Sequence, residues 1–315
     1  MKPVALICNP FSDGNCGTAK LAEYAAALPD VLTCAPRTPA ELETALRDFA
    51  LHDVAAIAVD GGDGTLREVM SRLPEAFGPS PPPLALLPSG KTNLAAGDVG
   101  SFGSGRAGLS RLLDAVRHDW RGARWSERPS LEVTWPDQPQ RRVRGLLFGA
   151  GAFTHATRMA GRWAHDHGFR QRTAVAIGVA RVMWESLGGS DELADPALCP
   201  IIDGVEVEGL ATPCFLLLAT TARRLMLGLW PFPPPSDSPS LSWLRVSHPP
   251  RRLALGLWKA WRGQLPDPAL GFDGGLCQRL DLRLHGAFVI DGELYEAGPE
   301  GVTLRTGPSF HFVAR

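Results

Sequence analysis

Ala55-Ala56-Ile57-Ala58-Val59-Asp60-Gly61-Gly62-Asp63-Gly64-Thr65-Leu66-Arg67-Glu68 sets a short apolar run, a glycine-rich turn and the opening of a helix in direct succession. The run Ala55–Val59 reads as a buried strand, and Leu66–Leu73 as a helix. Between them, Gly61, Gly62 and Gly64 allow a tight turn whose bare N–H groups can approach phosphate oxygens. The helix that follows aims its positive end at the same place. Thr65-Leu66-Arg67-Glu68 reads as a capping box, with Thr65 starting the helix and Glu68 closing the motif three residues on. A carboxylate inside such a turn repels phosphate unless a cation intervenes. Asp63 therefore points to Mg²⁺, a ribose contact or a proton acceptor.

Outward from this turn the pattern repeats. Val4–Cys8, Val31–Cys34 and Leu84–Leu87 read as further short strands. Thr18–Leu28 and Pro39–Ala50 read as helices, the latter with Leu42, Leu46 and Phe49 on one face. Strands alternating with helices predict a parallel sheet in a Rossmann-like α/β domain, with ligands beyond the carboxyl ends of the strands. Two more strand ends then matter. One is Asn9-Pro10-Phe11-Ser12-Asp13-Gly14; the other is Pro88-Ser89-Gly90-Lys91-Thr92-Asn93, rich in hydroxyl and amide donors. Lys91 is one of only four lysines (Lys2, Lys20, Lys91, Lys259), and a flexible ammonium there can neutralise a polyphosphate.

From about Ser130 the texture changes. Leu131–Trp135, Arg142–Phe148, Ile201–Val207, Thr212–Thr220 and Leu241–Val246 read as strands, with hairpin turns at Asp203-Gly204 and Asp291-Gly292. Helical patterns interrupt at His155–Gly168, Thr173–Leu187 and Leu253–Arg262. The expectation is a nucleotide-binding α/β domain over residues 1–125 and a predominantly antiparallel β-sandwich domain over 126–300, with the tail 300–315 returning to the first.

A net charge of −1 provides no global field for nucleic acid. Residues 101–190 are nevertheless basic, with 14 arginines against 7 acidic residues, and could face phosphate or anionic lipid. Six cysteines without metal-finger spacing fit buried free thiols in a reducing cytoplasm. No apolar run reaches the length of a membrane span.

Taken together, the strand ending in Asn-Pro, the Gly-Gly-Asp-Gly-Thr turn and the Pro-x-Gly-x-x-Asn turn resemble the diacylglycerol kinase catalytic domain of bacterial lipid kinases, sphingosine kinases and ceramide kinases. Phe148-Gly149-Ala150-Gly151-Ala152-Phe153, Ile290-Asp291-Gly292-Glu293 and the tail Val302–Phe312 are similar to downstream features of that family, in the same order. The resemblance implies an ATP- and Mg²⁺-dependent kinase of a membrane lipid. Asn9, Gly61, Gly62, Gly64, Thr65, Ser89, Gly90, Lys91, Thr92 and Asn93 would line the nucleotide site. Asp63 would sit near the γ-phosphate and metal. Asp291 would take the proton from the lipid hydroxyl, with Glu293 assisting or holding metal. Here Lys91 stands where the family usually has Thr, Leu94-Ala95-Ala96 follows Asn93, and Arg67 takes a position usually given to Asn.

A lipid acceptor requires a way to sit at an interface. Leu225–Phe232 and Leu253–Trp261 combine Trp230, Trp258 and Trp261 with Arg223, Arg224, Arg251, Arg252 and Arg262, and His155–Arg172 adds more Arg and Trp. These predict peripheral association with the inner face of the membrane. The rival readings are a soluble-substrate kinase of the NAD kinase type and a catalytically silent nucleotide-binding regulator.

Overall fold

The structure, a computed structural model, describes residues 2–12, 14–15, 20–167, 198–206, 213–225, 230–234, 236, 238–250, 252–284 and 286–315. Two compact units emerge, Met1–Ser130 with Pro308–Arg315, and Leu131–Gly307.

In the first unit, β1 (Val4–Cys8), α1 (Lys20–Ala25), β2 (Val31–Cys34), α2 (Pro39–Ala50), β3 (Ala56–Gly61), α3 (Asp63–Phe77) and β4 (Leu84–Pro88) alternate as the hydrophobic periods predict. Two further helices, α4 (Leu94–Val99) and α5 (Gly105–Arg117), complete it. The helical pattern over 18–28 is described only as Lys20–Ala25. Strand order is β2-β1-β3-β4, all parallel, with Val4–Cys8 wholly buried. Because β2 lies on one side of β1 and β3 on the other, the connections diverge between β1 and β3. That switch point opens a crevice at the strands' carboxyl ends.

The second unit is built from antiparallel strands. After β5 (Arg124–Trp135), which begins in the first unit, come β6 (Gln138–Gly145), β7 (Leu147–Gly151), α6 (Ala152–His167), β8 (Cys199–Ile202), β9 (Val205–Glu206), β10 (Cys214–Thr220), β11 (Leu241–Ser247), α7 (Leu253–Trp261), β12 (Phe272–Cys277), β13 (Arg279–Arg283), β14 (Ala287–Ile290) and β15 (Glu293–Glu296). One sheet runs β12-β11-β10-β7-β14-β15. Its apolar face, including Phe148, Leu217, Trp243 and Phe288, shares a core with Leu131, Trp135, Leu280 and Leu304 of the facing strands. This is the expected sandwich, an α/β domain followed by an antiparallel one. The last strand, β16 (Val302–Ala314), pairs antiparallel with β13 through Val302–Arg305 and parallel with β4 through Phe312 and Val313.

Three sequence expectations change. The run Ile201–Val207 is divided by the Asp203-Gly204 turn between β8 and β9. The run Arg142–Phe148 is two strands, broken at Leu146, because the backbone there turns to meet Asp291. The capping box is absent. Helix α3 starts two residues before Thr65, its N-cap is Gly62, and Glu68 pairs instead with Arg67 and Arg72. The helical pattern Thr173–Leu187 lies outside the described residues.

Candidate nucleotide site and the Asp291 turn

In the first unit the three strand-end loops converge. Asn9 N–H donates to the Asp60 carbonyl at 2.9 Å, Gly14 N–H to the Ser89 carbonyl at 2.8 Å, and Ser89 N–H to the Gly61 carbonyl at 3.1 Å. The glycines make the approach possible. A Cβ on Gly90 would stand 2.4 Å from the Gly62 Cα, and one on Gly61 would overlap the Thr65 side chain. Gly61, Gly62, Asp63, Pro88, Asn93 and Ala95 line the small hollow between the turns. Such a cradle, lined by backbone and held open by the absence of side chains, fits phosphate oxygens.

Side chains lock this geometry. Asn9 Nδ2 donates to Thr65 Oγ1 at 2.8 Å, tying the end of β1 to the first turn of α3. Asn93, left-handed at φ 52°, accepts from Gly90 N–H and donates to the Gly90 carbonyl, closing the third loop on itself. The Asp63 carboxylate leaves its own helix: its two oxygens accept the N–H groups of Leu94 at 2.9 Å and Ala95 at 3.0 Å. It thus caps the first turn of α4 and clasps the Gly-Gly-Asp-Gly-Thr turn to the Pro-Ser-Gly-Lys loop. Burial pushes its pKa above the ordinary carboxylate value, against the pull of those amides. Lys91 is exposed at the outer rim, with Thr92 half-buried beside it.

A second carboxylate went unrecognised in the sequence. Asp60, 1% exposed, lies beneath the turns at the end of β3. Asn15 Nδ2 donates to it at 3.0 Å and also to Ser12 Oγ, while Ser12 and Ser89 share a 2.8 Å hydroxyl contact. Burial raises the Asp60 pKa; hydrogen bonds from Asn15, Ser89 and Cys8 oppose the rise. The only sequence signal was a charge ending an otherwise apolar strand. Burial also pushes the Cys8 thiol up. The described cysteines Cys8, Cys34, Cys214 and Cys277 are free thiols.

In the second unit, Asp291-Gly292 forms the turn between β14 and β15, with φ of 47° and 86° at the two residues, the geometry of a type I′ hairpin. The Asp291 carboxylate folds back on the break between β6 and β7. It accepts Leu146 N–H at 3.1 Å and Leu147 N–H at 2.9 Å, so its orientation is fixed. Gly145 leaves it room, since a Cβ there would fall 2.4 Å from Asp291 Oδ2. Glu293, the first residue of β15, is exposed. Of the expected interfacial residues, Arg223, Arg224, Trp258 and Trp261 are exposed. Trp230 is not. It is half-buried, stacks edge-on against the buried Phe232 at 5.3 Å and donates its indole N–H to the Pro233 carbonyl, because it completes the core beneath α7. Among the described residues no cluster of three or more His, Cys, Asp or Glu side chains could hold a metal by itself, and no helix is long and apolar enough to cross a membrane.

Residues 3–122 match the family described as the diacylglycerol kinase catalytic domain. Among curated proteins none matches. Similar solved structures come from Bacillus anthracis strain Sterne, one named as a diacylglycerol kinase and two assigned to that class provisionally. They are 15%, 15% and 17% identical, with TM-scores of 0.60, 0.64 and 0.63, and each alignment covers 100% of this chain and 97% of the other. At that identity they show the fold alone. Residues 3–122, which hold all three converging loops, are similar to the diacylglycerol kinase catalytic domain.

Proposed function

We propose that the chain is an ATP-dependent kinase that transfers the γ-phosphate to a hydroxyl of a membrane lipid of the diacylglycerol, ceramide or sphingoid type. The observation that carries this reading is the pair of glycine turns in backbone contact at the carboxyl ends of β3 and β4, in a domain that matches that family. In-line phosphoryl transfer needs positioning and charge neutralisation more than covalent participation by the protein. The turn amides and the N-terminus of α3 supply fixed positive dipoles for phosphate, and Lys91 at the rim adds a mobile charge. Each carboxylate has about four lone-pair positions, so Asp63 retains acceptor capacity after its two amide bonds. Asp63 is the side chain of the first unit that would help hold magnesium, and Glu293 would assist Asp291. Bound magnesium neutralises the phosphates and usually keeps several waters, so one or two protein carboxylates are enough. Asp291 is the base that accepts the hydroxyl proton, and its two amide bonds hold the carboxylate still for that task. In this reading the protein works from the cytoplasm at the inner face of the membrane.

The test is a panel of lipids, NAD and sugar phosphates assayed with γ-labelled ATP, comparing wild type with Asp291→Asn. Label should pass to a lipid, and the variant should lose about 10²–10⁴-fold in kcat with little change in the nucleotide KM. Turnover of NAD or a sugar phosphate without lipid would overturn the lipid reading. Undiminished turnover by Asp291→Asn would remove that residue as the base.

A further inference from the structure

Helix α7 breaks the usual pattern of a surface helix. A helix packed on one side normally shows charge on the other. Here the inward residues Gly256 and Ala260 are buried, Gly256 so tightly that a Cβ would fall 2.1 Å from the Phe272 ring. The outward face is apolar as well: Leu255 is 39% exposed, Trp258 43% and Trp261 67%. Their spacing of three residues puts them on one strip along the helix. The helix contains no acidic residue. Its single lysine, Lys259, is paired to Asp267, and arginines stand at both ends, Arg252 at the N-cap and Arg262 at the C-cap. The Arg262 guanidinium lies over the Trp258 ring, 4.0 Å from its centroid.

We infer that α7 is an in-plane membrane anchor, laying Leu255, Trp258 and Trp261 into the headgroup boundary of a bilayer that carries anionic phospholipid, with Arg252 and Arg262 on the phosphates. Tryptophan is favoured at that depth, and arginine reaches headgroup phosphate while its stem packs on apolar neighbours. A second copy of the chain is the poorer occupant. Antiparallel pairing of α7 with itself would bring Arg252 against the other Arg262, with no carboxylate on either helix to separate them. The inference deepens the lipid-kinase reading and rests on it for the bilayer as the place where the substrate is found.

The experiment is co-sedimentation of the full chain, without nucleotide, on phosphatidylcholine vesicles with and without phosphatidylglycerol. Wild type should bind the anionic vesicles and lose binding as salt rises. Trp258→Ser/Trp261→Ser should weaken binding at least about tenfold, by the apolar area withdrawn. Arg252→Gln/Arg262→Gln should remove most of the salt dependence. Trp125→Ser, which alters an equally exposed tryptophan of the first unit, should change nothing. Turnover of a soluble short-chain diacylglycerol, measured in parallel, tests the kinase reading separately and should be equal in all of these variants. Absence of wild-type binding, or equal binding by the tryptophan pair, overturns the anchor even if short-chain turnover persists. A wild-type dimer in sedimentation velocity that the tryptophan pair converts to monomer also overturns it, in favour of a second copy.

Discussion

Asp63 shows how one carboxylate can serve geometry as well as chemistry. Its position in a glycine-rich turn suggests a metal or a proton, and the tertiary structure adds a mechanical task, the capping of Leu94 and Ala95. Removing a capping acceptor costs about 1–2 kcal/mol. Asp63→Ala should therefore lower the melting temperature and speed proteolytic cleavage near residues 88–96. A purely chemical role would instead lower kcat at unchanged stability. Thermal melts and limited proteolysis, read beside single-turnover kinetics, separate the two; an unaltered melt removes the clasp. Asp60 belongs to the same scale, since Asn15, Ser12 and Ser89 are organised around its buried carboxylate.

At the scale of elements, the contact between the two glycine turns governs the site. The nearest atoms to a Cβ on Gly90 are backbone, which cannot swing aside. Gly90→Ala should destabilise the first unit by about 1–3 kcal/mol through overpacking and abolish nucleotide-dependent thermal stabilisation. Gly97, inside α4, has open space around its Cβ position. There the same change should stabilise by about 0.5–1 kcal/mol, because alanine restricts the unfolded chain. Melting curves with and without ATP check both. If Gly90→Ala binds nucleotide like wild type, the close approach is not what shapes the cradle. These elements were largely legible beforehand: the α2 bounds match the apolar period, and the strand ends carried their turn residues openly. The exact start of α3 was not, because a glycine N-cap leaves no side-chain signature.

For the molecule as a whole, a buried ionic cluster in the second unit links stability to pH. Glu132, buried, accepts from Arg144 at 2.7 Å and from Arg305 at 2.6 and 2.8 Å. Burial alone would raise its pKa; the two guanidiniums outweigh burial and hold it below its ordinary value of 4.5. A carboxylate lowered on folding stabilises the native state above its unfolded value, and that contribution is lost as pH falls through the lower, folded value. Acid melts of wild type should therefore steepen below about pH 4.5. In Glu132→Gln that part of the slope should vanish, while stability near neutrality drops by about 3–5 kcal/mol, as the buried Arg144 loses its counter-charge. Melting temperature against pH for both proteins decides the matter; parallel acid limbs would deny Glu132 the role.

By itself the amino-acid order determined the alternation of strands and helices, the three turns at strand ends and the antiparallel character of the second half. Each rests on local periodicity and on glycine's freedom to bend. Folding alone decided what surrounds each side chain. It gave both Asp63 oxygens to amides about thirty residues away and gathered donors around Asp60. It turned Asp291 back onto Leu146 and Leu147, covered Trp230 and left Trp258 and Trp261 in solvent. Those outcomes depend on which distant segment packs alongside, and a tryptophan carries the same local signal whether its partner is a protein core or a bilayer.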